Sequence, residues 1–405
     1  MFLRMETVDG GQSAQPLRTL YCFEAIMLFS FTSRLLCSLL LVALAVLPAA
    51  ATTAPELPAP VENALTFLLS AAPQGRPDPA PAALTPILDF VTANTLPAAK
   101  VRPANRAEGA GVYHKETFAL PLRKLMGYML DPAVPGEAIY PSAVRRNAWL
   151  PGSGILKDSG RFLTATLPPA APLVTRGVEY EETTPDTSSG CYYSYKLNRL
   201  FVLTDYKGRA ALFSVSAMPG QSSVGLRGAI VGDDKDWTYV YTSEKGTNLA
   251  MLGWAETYLY GSASVTVFIE DGTGRTEAHF FKWAKAGWKG SNVVKPSHIT
   301  AGLRRFTSGL RLVTESPRCP SPQDIAARFA AFKGMDEATL RSRLRPFAAH
   351  LAGQDADPLD EKAFRAVLDN NAYAETLQRD NAIAELMKLE MRRTLGNLPA
   401  AVAGQ

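Results

Sequence analysis

The chain has 405 residues, 42 of them Lys or Arg against 38 Asp or Glu, with 47% hydrophobic and 9% aromatic residues. That balance excludes wholesale disorder, collagen-like repeats and a polytopic membrane protein, and it suits one large globular domain or about two to three smaller ones. The net charge of +4 is uneven, since residues 100–161 hold 10 basic and 5 acidic groups. These cations (Lys100, Arg102, Arg106, Lys115, Arg123, Lys124, Arg145, Arg146) are scattered among Pro and apolar residues. They read as a solvated basic face, and no nucleic-acid partner is expected.

At the N-terminus, Met27 opens a short stretch with one basic residue, Arg34, followed by an apolar run over Leu35–Leu47, then Pro48 and the small residues Ala49, Ala50 and Ala51. This order is that of a secretory signal peptide, and the run is short for a bilayer span. Cleavage is expected after Ala51, with an uncleaved anchor as the alternative. The 26 residues ahead of Met27 lack periodicity and read as an upstream extension of a later true start. The mature protein is therefore expected to be periplasmic or secreted, with no stable membrane anchor. Export leaves two cysteines, Cys191 and Cys319, because Cys22 and Cys37 lie in the removed segment. In an oxidising compartment the two are expected to form a disulfide worth about 4 to 5 kcal/mol.

Residues 52–110 read as an Ala/Pro-rich linker with short helices. One covers 61–70, with Leu65, Leu68 and Leu69 on a face; a second is expected to start with Thr85 as its cap and Pro86 at the first helical position. Residues 111–296 read as a β-rich domain, mixed and Pro-broken up to 150 and of period two from Arg161 to Lys285. Leu200–Tyr206 and Arg209–Ala217 flank Lys207-Gly208 as a hairpin, while Asp271-Gly272-Thr273-Gly274 marks another turn. Further strands are expected at Trp237–Ser243, Ala255–Tyr260, Ser264–Glu270 and Thr276–Trp283. Residues 297–405 return to helical spacing. Ile299, Leu303, Phe306, Leu310 and Val313 mark one helix, Ser321 caps the next, and Asp336–Leu351 and Pro358–Leu395 follow. The fold class expected is α+β, a central antiparallel sheet or partial barrel of about seven to nine strands between short N-terminal helices and a C-terminal helical bundle. The order of sheet followed by the helix at 297–315 resembles ligand carriers whose sheet wraps a helix, a likeness of fold alone.

Catalytic motifs are sparse. Gly220-Gln221-Ser222-Ser223-Val224-Gly225 has one residue too many for a nucleophile elbow, and Gly152–Lys157 lacks the spacing of a phosphate loop. His114, His279, His298 and His350 are far apart in sequence, and the acidic groups at 233–236 and 355–360 lack the glycine of a calcium loop. No metal and no cofactor is expected. Carboxylates on presumed strands (Glu179, Glu181, Glu182, Glu256, Glu270) leave an acid pair open.

The β region is also rich in aromatic residues. Alternation places Trp237, Tyr239 and Tyr241 on one face, with Trp254 and Tyr258 nearby. Such a face either fills the core or lines a ligand site. The leading expectation is an exported, non-enzymatic protein that binds an apolar small molecule or an envelope protein on this face. The alternative is an envelope hydrolase whose site is assembled from distant residues. Two carboxyls facing one cleft favour the hydrolase; an apolar cavity lined by the aromatics favours the binder.

Overall fold

The computed structural model describes residues 56–93, 97–249, 253–354, 357–369 and 372–398. The signal segment expected over 1–51 lies outside them. In chain order the elements are α1 (Ala59–Ala71), α2 (Pro81–Ala93), β1 (Ala110–Phe118), α3 (Leu122–Leu130), α4 (Gly136–Ile139), β2 (Val144–Trp149), α5 (Ile155–Thr164), β3 (Leu173–Thr183), β4 (Cys191–Tyr192), β5 (Ser194–Tyr206), β6 (Arg209–Ala217) and β7 (Leu226–Ile230). They continue with β8 (Tyr239–Lys245), β9 (Thr247–Leu249), β10 (Gly253–Ala255), β11 (Tyr258–Glu270), β12 (Thr276–Gly287), α6 (Pro296–Thr314), α7 (Pro322–Gly334), α8 (Glu337–Ala352), α9 (Lys362–Leu368), α10 (Ala372–Thr376) and α11 (Arg379–Leu395).

A seven-stranded sheet of order β1-β12-β11-β6-β5-β3-β2 forms the centre, and every neighbouring pair in it is antiparallel. Its β5–β6 hairpin closes through Lys207 and Gly208, both at positive φ (53° and 79°), the two-residue geometry that matches strand twist. Three short strands, β4-β7-β8, form a second sheet, and β9 and β10 a third. The expected α+β class, antiparallel sheet and C-terminal helical region are all present.

Side chains alternate across the sheet, so each strand feeds two cores. On the outer face Leu200, Val202, Phe213, Val215, Val265, Val267, Phe281 and Trp283 pack against Leu65, Leu68, Leu84 and Ile87 of α1 and α2. The segment expected to be a linker thus supplies the cover of this face. The inner face carries Phe201, Leu203, Leu212, Phe268 and Phe280 into a core shared with α3, α5 and α6. Beyond the β2 edge, α7, α8 and α11 assemble with α4 and the three-stranded sheet. Residues 54–405 make one compact unit, and among the described residues no helix is long and apolar enough to cross a membrane.

Several boundaries differ from the sequence reading. Helix α2 begins at Pro81, and the Thr85 hydroxyl donates back to the Pro81 carbonyl inside the helix instead of capping it. The region 112–150 contains two strands and two helices, because its prolines fall between elements. The strands expected at 255–260 and 264–270 are one, β11, with a register irregularity between Leu259 and Gly261 that absorbs the break in alternation. The long C-terminal helix is three, α9, α10 and α11. The expected Ser321 cap is present, accepting from the Asp324 N–H, and Asp336 caps the next helix by accepting from the Thr339 N–H.

The expected Cys191–Cys319 disulfide is absent, and both thiols are free. Cys191 sits on β4 with its sulfur 3.5 Å from Thr257 Oγ1. Cys319 lies beside α3, 3.5 Å from the Tyr128 hydroxyl. Each is held by its own neighbours, whereas a bridge needs the two Cα atoms within about 7 Å. Burial pushes both thiols up from their ordinary pKa, which makes them poor nucleophiles. Denatured without reductant, the protein should therefore show Cys191 and Cys319 as titratable thiols; modification by a thiol reagent followed by peptide mapping checks this, and a disulfide-linked peptide pair would restore the bridge.

Candidate functional site

The outer face of the sheet is apolar over its middle, from Leu200 and Val202 across to Phe281 and Trp283, and the inner face changes character along every central strand. On β6, Leu212 gives way to Ser214 and Ser216; on β11, Phe268 gives way to Thr266, Ser264 and Ser262; on β12, Phe280 gives way to Lys282. The same turn to polarity brings Arg199 and Tyr195 after Phe201 on β5, with Leu197 between them, and on β3 it brings Glu179 opposite Leu197 and Glu181 opposite Tyr195. The registers align these residues as a polar stripe across one end of the inner face.

The stripe is joined by hydrogen bonds. Both oxygens of Glu179 are engaged, one by Asn147 Nδ2 of β2 (2.6 Å) and the other by Arg199 Nη1 (2.5 Å). Arg199 also donates to Ser214 Oγ (3.1 Å), Ser216 and Ser264 share a bond (2.8 Å), and Lys282 Nζ donates to Ser262 Oγ (2.6 Å). The Tyr195 hydroxyl donates to Glu181. Glu179, Ser214, Ser216 and Ser262 are buried, while Glu181, Tyr195, Arg199, Ser264 and Lys282 keep a solvent-reachable side. Tyr140, stacked on Phe306 with ring centroids 4.8 Å apart, lies near Arg199, Glu179 and Glu181.

This environment shifts the charges. Burial, and then the charge of Glu179, push the Glu181 carboxyl up. Burial pulls the Lys282 ammonium down to about 8, with Glu181 opposing. Burial together with the Glu181 carboxylate raises the Tyr195 hydroxyl far above its ordinary value. The stripe therefore offers a protonatable carboxyl, a hydrogen-bonded carboxyl, a lysine with an accessible neutral form and a set of hydroxyls, an arrangement able to bind a polyhydroxylated molecule or to move a proton at its surface. Of the carboxylates singled out from sequence, Glu179 and Glu181 come together here. Glu182 points to the other face and pairs with Arg145; Glu270 accepts from the Leu122 N–H, and Glu256 precedes β11.

The aromatic residues go elsewhere. Trp237, Tyr239 and Tyr241 are buried in the inner core, at 2%, 0% and 5% exposure. Trp237 precedes β8 and stands at φ 53°, so it is not part of the alternation that was to align it with the other two. The rings are occupied from several sides. The Arg145 guanidinium lies 3.7 Å from the Tyr241 ring centroid, and Lys388 Nζ of α11 lies 5.1 Å from that of Tyr239. The Tyr239 hydroxyl donates to Asp234 Oδ1 (2.8 Å), which Arg305 of α6 grips in turn. Tyr258 is only half-buried; its hydroxyl donates to Glu256 and its ring lies against Tyr260. Trp254 sits on β10 opposite Asn248, and its side chain is outside the described residues.

The polar stripe was missed in the sequence, although one signal was present: Ser214 and Ser216, like Ser262 and Ser264, alternate with apolar residues inside strands that otherwise bury both faces. Among the described residues no group of three or more His, Cys, Asp or Glu gathers as metal ligands. No protein-family model matches the chain, and no curated protein matches it.

Proposed function

We propose that the protein is exported and binds a small polyhydroxylated ligand, of the saccharide class, on the stripe formed by Glu179, Glu181, Tyr195, Arg199 and Lys282. The observation that carries this is the polar end of an inner face that is otherwise apolar. Hydroxyl donors and acceptors, two carboxyls and two cations alternate there over a short distance, and the Tyr140 ring lies near them. Sugar hydroxyls both donate and accept, so they satisfy such a set without placing an unpaired charge in a partly buried site. Export rests on the segment from Met27 to Ala51.

Titration calorimetry of the full chain with a panel of neutral and amino disaccharides is the test. At least one member should bind saturably, and Glu181→Gln should weaken it about tenfold, the loss of one hydrogen bond to a charged group. Absence of binding across the panel, or an unchanged affinity in Glu181→Gln, would reject the reading.

A second reading, glycoside hydrolysis, is favoured by one observation: Glu181 is pushed toward its protonated form beside a Glu179 whose oxygens are held by Arg199 and Asn147. A carboxyl pair in unlike environments is how an acid and its partner carboxylate are assigned. New reducing ends in the calorimeter samples, absent in both Glu179→Gln and Glu181→Gln, would select it.

A further inference from the structure

We propose that a separate pocket at the β2 edge takes a primary amine carried on an aromatic or branched apolar body. The pocket holds about 280 Å3, at the small end of ligand-sized cavities. Trp149 and Phe329 supply aromatic wall, Val134 and Ile383 aliphatic wall, and Leu156, exposed to 45%, forms a lip at the mouth. Among these apolar groups stands the carboxyl of Glu137, only 1% exposed.

That carboxyl meets backbone donors, and no side-chain cation bonds it among the described residues. It accepts from the Asn147 N–H at 3.4 Å, where it caps the free edge of β2, and from its own backbone N–H. Among the described residues, the cations around it act on it through space without a hydrogen bond. Arg146 at the mouth is paired with Asp380 and Glu182, and Lys333 is exposed. Lys388, behind Glu137 on α11, makes no hydrogen bond to it, and burial pulls its ammonium down to about 8. Burial likewise pushes Glu137 up to about 7, so the free carboxyl carries an energetic penalty that an incoming ammonium offsets. A ligand ammonium also adds a charge-assisted donor to the two neutral backbone N–H groups that this carboxyl already meets.

The wall beside Glu137 is fixed. The Gly136 N–H donates to Asn147 Oδ1 at 2.6 Å, and a Cβ on Gly136 would stand 2.8 Å from that same oxygen, so glycine is what admits the contact. The same Asn147 reaches Glu179 with its amide nitrogen, but the pocket contains none of the stripe carboxyls, so the two sites are tested separately.

The probes are phenethylamine and its hydroxyl counterpart 2-phenylethanol, titrated calorimetrically into the full chain just above neutral pH. Phenethylamine should bind saturably, about tenfold or more tighter than the alcohol. Glu137→Gln should abolish that preference, and Leu156→Trp, a change at an exposed lip that leaves the core intact, should block both probes. An amine that binds no better than the alcohol, a preference that survives Glu137→Gln, or binding untouched by Leu156→Trp would each overturn the proposal. Disaccharide affinity measured on the same variants separates this outcome from failure of the stripe as a site.

Discussion

Tyr239→Ala is expected to lower the unfolding free energy by about 3 to 5 kcal/mol, the scale for truncating a fully buried aromatic ring. The reasons go beyond ring area. Tyr239 has no exposed surface, its hydroxyl joins Asp234 to Arg305, and its ring faces Lys388. Its removal leaves a cavity and strips a buried ammonium of its aromatic partner. Trp237→Ala should cost a similar amount and Tyr241→Ala nearly as much, since Tyr241 carries the Arg145 guanidinium on its ring. Chemical denaturation midpoints of the three variants check this. If any of them keeps near-parental stability while losing a ligand that co-purifies with the parent, the aromatic face is a binding surface after all, and these rings belong to a site.

The same rings show what the sequence made legible. Period-two alternation from β5 to β12, positive-φ turn residues and helical spacing after Pro296 led to the antiparallel sheet and its C-terminal helices, because each is a local consequence of side-chain pattern. Which side of the sheet each pattern met was not local. Alternation assigned Tyr239 and Tyr241 a common face, but whether that face was filled depended on Arg305, Lys388 and Tyr373, between 64 and 149 residues downstream by their numbers. The cysteine expectation failed for the same reason. Counting thiols says which can pair, and only the fold shows Cys191 beside Thr257 and Cys319 beside Tyr128, both free.

The polar stripe was hidden differently. Glu179 and Glu181 alternate as on any strand with one wet face, and the serines of β6 and β11 pass for small core residues. Only the registers of six neighbouring strands bring Asn147, Glu179, Arg199, Ser214, Ser264 and Lys282 into one stripe. Glu137 gave no signal at all: a single glutamate after a proline reads as the exposed first turn of a helix, and its burial comes from α11 closing over a four-residue helix at the sheet edge.

Arg145→Ala carries the other large expected effect. The guanidinium is 4% exposed, donates to Glu182 Oε1 at 3.0 Å, and lies over the rings of Tyr241 and Tyr192. Burial by itself would lower its pKa; the Glu182 carboxylate and the surrounding tyrosines reverse that and hold it charged. Removing it leaves Glu182 as a buried carboxylate with Arg146 at 3.8 Å as its remaining cation, and breaking such a pair costs about 3 to 5 kcal/mol. The loss should change little with added salt, because buried pairs are weakly screened. Arg145→Met with Glu182→Leu removes both charges together, and its stability is expected to return to the parental level or exceed it, since an apolar pair escapes the desolvation that the ion pair must repay. Urea denaturation of the two single variants and the double one gives the coupling energy directly. If Arg145→Ala loses less than about 1 kcal/mol, the pair behaves as a surface bridge and the joint between β2 and β8 is held by its tyrosines alone. If the double variant is as stable as the parent but amide exchange in α11 accelerates, the pair serves to fix where the helical region seats rather than how strongly the chain folds, which accounts for a cation kept beneath two aromatic rings where methionine would fit.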